Sequence, residues 1–139
     1  MNILFVCKYN RFRSKVAEAY FNKINKNKSV KTDSAGIFGR WFPLDPIQIK
    51  VAKKYGINIK GKPQSLSYQK VQWADLIVIV ADDVPKKIFK GEFMKKTKLI
   101  KLRIKDARRK NKEQTSERIT KSIIKKIDKF NKKLINQNK

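Results

Sequence analysis

A chain of 139 residues, 40% of them hydrophobic, is one ordinary domain, long enough to bury a core without staples. Its single cysteine excludes an internal disulfide framework, and the absence of histidine removes Cys–His and Ser–His catalysis and most zinc sites. No apolar run approaches the ~20 residues of a membrane span, nor does the N-terminus carry a signal-like segment, so a reducing cytoplasm is the expected setting. The net charge is +25, with the second half of the chain the more basic, and a field of that sign draws in anionic substrates. The lysines are spread over every predicted element instead of forming one stripe. That distribution predicts a solvated surface with weak, non-specific nucleic-acid binding.

In chain order, Asn2 to Val6 reads as a first strand and Ser14 to Lys26 as a helix with Val16, Ala19, Tyr20 and Ile24 at helical spacing. Val30 to Ser34 reads as a short second strand, and Gly36 and Gly39 punctuate the loop after it. Asp45 is an N-cap with Pro46 at the first helical position and Gly56 just past the end, which predicts a helix over Asp45 to Tyr55. Leu76 to Val80 is continuous, apolar and β-branched, the pattern of a parallel strand buried on both faces. A short helix near Pro85 to Phe89 and a fourth strand from Lys98 to Leu102 follow. A last helix places Ile119, Ile123, Ile127, Phe130 and Leu134 on one stripe, and residues 131–139 are expected to fray into a basic tail. There is no internal repeat and no linker, so 1–139 is read as a single α/β domain. Its parallel sheet carries helices on both faces, and ligands sit beyond the carboxyl ends of the strands.

Cys7 stands at that place, where the first strand gives way to Lys8-Tyr9-Asn10-Arg11-Phe12-Arg13-Ser14. Cysteine, five residues, arginine and serine suit a phosphate loop. A short loop curls its backbone N–H groups around an anion while the next helix presents its positive end. A free thiol of pKa ~8.5 is mostly protonated at neutral pH, but the field that holds a phosphate also favours a thiolate nucleophile. Arg13 binds two phosphoryl oxygens as a planar fork. After the third strand come Asp82 and Asp83; Asp82 is expected to pair with a loop arginine and support the site, and no metal is expected there.

The chain resembles the low-molecular-weight protein tyrosine phosphatase family, which shares its fold with the thioredoxin-linked arsenate reductases. The resemblance covers most of the sequence. It rests on Val6-Cys7, Asn10 and Arg13-Ser14, on Ser34-Ala35-Gly36, on Trp41 with Asp45-Pro46, on Tyr55-Gly56-Ile57, on Ala74-Asp75-Leu76-Ile77 and on Asp106. It implies a three-layer α/β sandwich with a four-stranded parallel sheet in the order 2-1-3-4. It further implies a phosphocysteine mechanism on phosphotyrosine or aryl phosphates, with no cofactor and with inorganic phosphate or another oxyanion held in the site.

By the same resemblance, Ser14 hydrogen-bonds the sulfur, Asn10 and Ser34 keep the loop curled, and Asp106 serves as general acid and base. Lys8, Tyr9, Arg11 and Phe12 complete the phosphate loop, with Trp41, Ile37 and Phe38 at the entrance. Three departures stand out. Tyr9 occupies a glycine position of the family, where a positive φ is expected to be uncomfortable. Phe12 stands where many members have a second cysteine. Asp106 is followed by Ala107-Arg108-Arg109 instead of proline and aromatics, which favours acidic or multiply phosphorylated substrates. Two alternatives accompany this reading: a non-catalytic anion- or nucleic-acid-binding module, and an arsenate reductase, for which one cysteine allows no internal relay.

Overall fold

The computed structural model describes residues 1–38, 42–91, 94 and 96–137. Four strands, β1 (Asn2–Cys7), β2 (Lys31–Gly36), β3 (Leu76–Val80) and β4 (Lys98–Leu102), form one parallel sheet in the order β2-β1-β3-β4. The helices are α1 (Arg13–Ile24), α2 (Pro46–Lys54), α3 (Tyr68–Trp73) and α4 (Lys112–Gln137), with a 3₁₀ turn at Lys86–Phe89. Parallel strands require crossovers, and these put helices on both faces.

Alternation along each strand sorts the core into two layers. Ile3, Phe5, Leu76, Val78 and Val80 face α1, α2 and α4, while Leu4, Val6, Ile77 and Ile79 face α3 and the 3₁₀ turn. The α4 stripe of Ile119, Ile123, Ile127, Phe130 and Leu134 is buried as its spacing predicts. Phe130 meets Phe5 and Phe21 at ring-centroid distances of 6.5 and 5.8 Å. Burying each of these side chains stabilises the fold by about 1.5–3 kcal/mol, so the long helix is held by packing.

Three expectations need correction. α4 continues to Gln137, because Leu134 is buried and extends the stripe past residue 131. β2 lies later than its β-branched residues suggest: its register pairs Asn2 with Lys31 and Cys7 with Gly36, so it runs through the small residues Ala35 and Gly36. A β-carbon at Gly36 would lie 2.5 Å from the Tyr9 carbonyl carbon and 2.7 Å from the Asn10 nitrogen, so the strand end is shaped to let the Cys7 loop pass. Helix α3, with Val71 as its one buried residue, is not apparent in the sequence pattern.

Candidate active site

The loop joining β1 to α1 turns at Asn10, the one residue other than glycine with positive φ (58°) among the described residues. Asparagine tolerates that conformation better than most side chains, and the strain expected at Tyr9 falls here instead. The Asn10 side chain is fully buried and closes a network. Its Oδ1 accepts from the Gln64 N–H at 2.8 Å, and its Nδ2 donates to Ser14 Oγ at 2.7 Å and Ser34 Oγ at 3.0 Å. The Gln64 amide can only donate, which fixes the orientation of the Asn10 carboxamide. Ser14 Oγ therefore accepts from Asn10, and it shares a hydrogen bond with Cys7 Sγ, 3.0 Å away, in which either atom can donate. The Asn10 backbone N–H also points at that sulfur, at 3.3 Å. No side chain caps α1, so its first-turn amides are available as donors to an anion.

Arg13 opens α1 and is 3% exposed. Its Nη1 donates to the Ile104 carbonyl at 3.0 Å and lies 2.9 Å from Asp83 Oδ1, while Nη2 is 3.7 Å from Asp106 Oδ2. The carboxylate on the loop arginine is thus Asp83, and the expectation for Asp82 is corrected. The Asp82 N–H is taken by the Ile104 carbonyl, which continues the β3–β4 pairing two residues beyond Val80 and Leu102, and Asp83 follows at the loop. Asp106 is 52% exposed, and its Oδ1 accepts from the Ala107 N–H at 2.8 Å. A proline at 107 would remove that donor.

Cys7, Tyr9, Arg11, Phe12, Arg13 and Asp106 line a cavity of about 230 Å³ with Ala107 and Arg109 of the loop after Asp106 and with Gln48 and Lys112, the last two of which the sequence does not point to. Gln48 is buried on α2 and donates to Ser116 on α4, so only the tertiary fold brings it here. Lys112 donates to Asp45 Oδ2 at 2.6 Å. Burial pushes the Asp45 carboxyl up, but the Lys112 hydrogen bond, the Ile47 N–H and the charges of Lys112 and Arg11 outweigh it and hold it below the ordinary carboxylate value.

The remaining predicted residues lie around this cavity in different ways. Ser14 and Ser34 sit behind the loop, as expected for supports. Lys8 places its Nζ 5.3 Å from the Tyr9 ring and 5.8 Å from the Phe38 ring, outside the cavity, while Phe12 is largely buried in the core. Arg11 donates to the Pro43 carbonyl through Nε and Nη2 and lies over the Phe42 ring. Ile37 packs against the second core layer. Trp41 lies outside the described residues. Among the described residues no three potential ligands converge as a metal site would need, and no helix is long and apolar enough to cross a membrane.

The family description "low molecular weight phosphotyrosine protein phosphatase" matches residues 2–138. The chain belongs to this family. It is accordingly an enzyme of the phosphatase class, and the α/β fold with sheet order 2-1-3-4 is the one its structural neighbours share. A protein tyrosine phosphatase from Entamoeba histolytica superposes with a TM-score of 0.81 at 20% identity, covering 98% of this chain and 96% of that one. The YwlE arginine phosphatase from Geobacillus stearothermophilus gives 0.80 at 22% identity, covering 98% and 94%. An arsenate reductase from Archaeoglobus fulgidus gives 0.73 at 25% identity, covering 93% and 98%. No curated protein matches the chain by sequence.

Proposed function

We propose that this phosphatase hydrolyses phosphotyrosine or aryl phosphates through a phosphocysteine intermediate. Cys7 Sγ attacks phosphorus in line, the sulfur–phosphorus bond forms and the bond to the leaving oxygen breaks. Arg13 and the loop amides hold the phosphoryl oxygens as charge redistributes, the largest kind of electrostatic contribution available to such a site. Asp106 gives its proton to the leaving oxygen and then takes one from the water that cleaves the sulfur–phosphorus bond, releasing phosphate and the Cys7 thiolate. The Ser14 hydroxyl stabilises that thiolate as it departs.

The observation that carries this reading is the 3.0 Å approach of Ser14 Oγ, buried behind the loop, to the sulfur of Cys7, which lines one cavity with Arg13 and Asp106. A buried structural cysteine has no use for a hydroxyl and a backbone N–H converging on its sulfur. The reading needs no metal or cofactor, and its substrate is a phosphorylated protein or small aryl phosphate. An arginine phosphatase must accommodate a guanidinium leaving group, and the cationic Arg11 and Arg109 of this cavity disfavour it. Arsenate reduction would need an external thiol at every turnover, because Cys7 is the only cysteine.

The test is hydrolysis of para-nitrophenyl phosphate in the presence of a chelator. Turnover is expected in the wild type and is expected to vanish in Cys7→Ser, which should still bind vanadate. Substantial turnover by Cys7→Ser would remove the phosphocysteine step.

A further inference from the structure

The catalytic cavity holds about 230 Å³, below the ~300–1,000 Å³ of sites that enclose a whole ligand. It admits a phosphoryl group and the start of its leaving group, so whatever flanks the phosphoester lies on the rim. Four cations line this cavity: Arg11, Arg13, Arg109 and Lys112. Arg13 is met by Asp83 and Asp106, and Lys112 by Asp45. Arg11 is fixed by a neutral carbonyl and a ring, with no carboxylate paired to it among the described residues, although Asp45 is close enough to feel its charge. Arg109 has neither an ion-pair nor a hydrogen-bond partner among the described residues. Its neighbour Arg108 is equally exposed but is not part of the cavity wall.

We infer that Arg109, with Arg11, forms a second anion subsite on the rim, selecting phosphomonoesters that carry another oxyanion, a carboxylate or a second phosphoryl group, beside the scissile one. The inference rests on the reading of Cys7 and Arg13 as the phosphoryl site and names the substrate class of that site. Two guanidinium groups from separate loops grip an oxyanion with several charge-assisted donors, and they keep their charge at all working pH values. Arg109 also lies three residues from Asp106 on a loop that is otherwise largely solvent-exposed. An anion bound to Arg109 pins that loop and brings the acid over the leaving oxygen, so the subsite acts on kcat as well as on KM.

The test compares three phosphotyrosine peptides: one with Asp on both sides, one with Ala in those places, and one with a second phosphorylated residue beside the first. A charge-assisted contact of ordinary strength predicts about a tenfold preference in kcat/KM for the anionic peptides over the Ala peptide. Whichever anionic peptide gains more identifies the source of the oxyanion. Arg109→Ala should collapse the preference to within about twofold, while Arg108→Ala should keep it, since charge removal there leaves the subsite intact. An unchanged preference in Arg109→Ala, an equal collapse in Arg108→Ala, or no preference in the wild type would overturn the inference. Para-nitrophenyl phosphate keeps the two levels apart. Its turnover without any acidic preference sinks the subsite alone, whereas no turnover at all sinks the phosphatase mechanism beneath it.

Discussion

The two halves of the catalytic cavity are built to different standards. The Cys7 loop is buried and cross-braced: Asn10 joins Ser14, Ser34 and Gln64, and the end of β2 is shaped to admit the loop backbone. The Asp106 loop is exposed, its carboxylate held by one adjacent amide and by an Arg13 contact at 3.7 Å. Under the proposed mechanism, phosphoryl binding falls to a preorganised surface, whereas protonation of the leaving group falls to a loop that the substrate must help to place. On that reading specificity belongs to the second half, where it can change without disturbing the Cys7 loop.

The largest effect should come from the loose half. Asp106→Asn should lower kcat on phenyl phosphate, a poor leaving group, by about 10²–10⁴-fold. Para-nitrophenyl phosphate, whose leaving group scarcely needs a proton, should lose far less. Equal losses on both substrates would break the division of labour between the loops.

Asn10→Ala attacks the braced half. It removes three side-chain hydrogen bonds, leaves buried Ser14 and Ser34 short of a partner and puts a β-carbon without a polar compensation at φ 58°. A loss of about 3 kcal/mol in denaturant unfolding is expected, with a matching fall in kcat on every substrate whatever its leaving group. A variant as stable as the wild type would mean that the network shapes the loop without holding the fold.

Asp45→Ala sharpens the comparison from outside, since Asp45 caps α2 through the Ile47 N–H and holds Lys112 at the cavity wall. About 1 kcal/mol should be lost at neutral pH. Because its folded value lies below the ordinary carboxylate value, its contribution is fully present above that ordinary value and disappears as pH falls through the folded one. The stability gap between wild type and variant should therefore close in acid. A gap that persists there would assign the effect to packing.

How much of this could be read from the chain follows the same divide. The strand, loop and helix around Cys7 are legible because the chemistry is packed into eight consecutive residues, and Leu76 to Val80 is legible because a short, β-branched apolar run favours a buried strand over a helix. Asp83 could not be told from Asp82, since adjacent carboxylates differ only in which one continues the ladder to Ile104. Gln48 and Lys112 carry no motif and reach the cavity through the packing of α2 on α4. Helix α3 buries one residue and so leaves no periodic trace, and the end of α4 is masked by its exposed lysines, which read as a basic tail around the buried Leu134.

The braces on Asn10 have one more consequence. Its partners Ser34 and Gln64 are 24 and 54 residues away along the chain. An isolated segment ending before β2 would contain the complete cysteine-to-arginine motif yet keep only the local contacts of Asn10 with Cys7 and Ser14, without its braces to Ser34 and Gln64. The shape of the Cys7 loop is thus a property of the finished topology: on refolding, turnover is expected to return with the docking of β2 and the segment after α2, and not ahead of it.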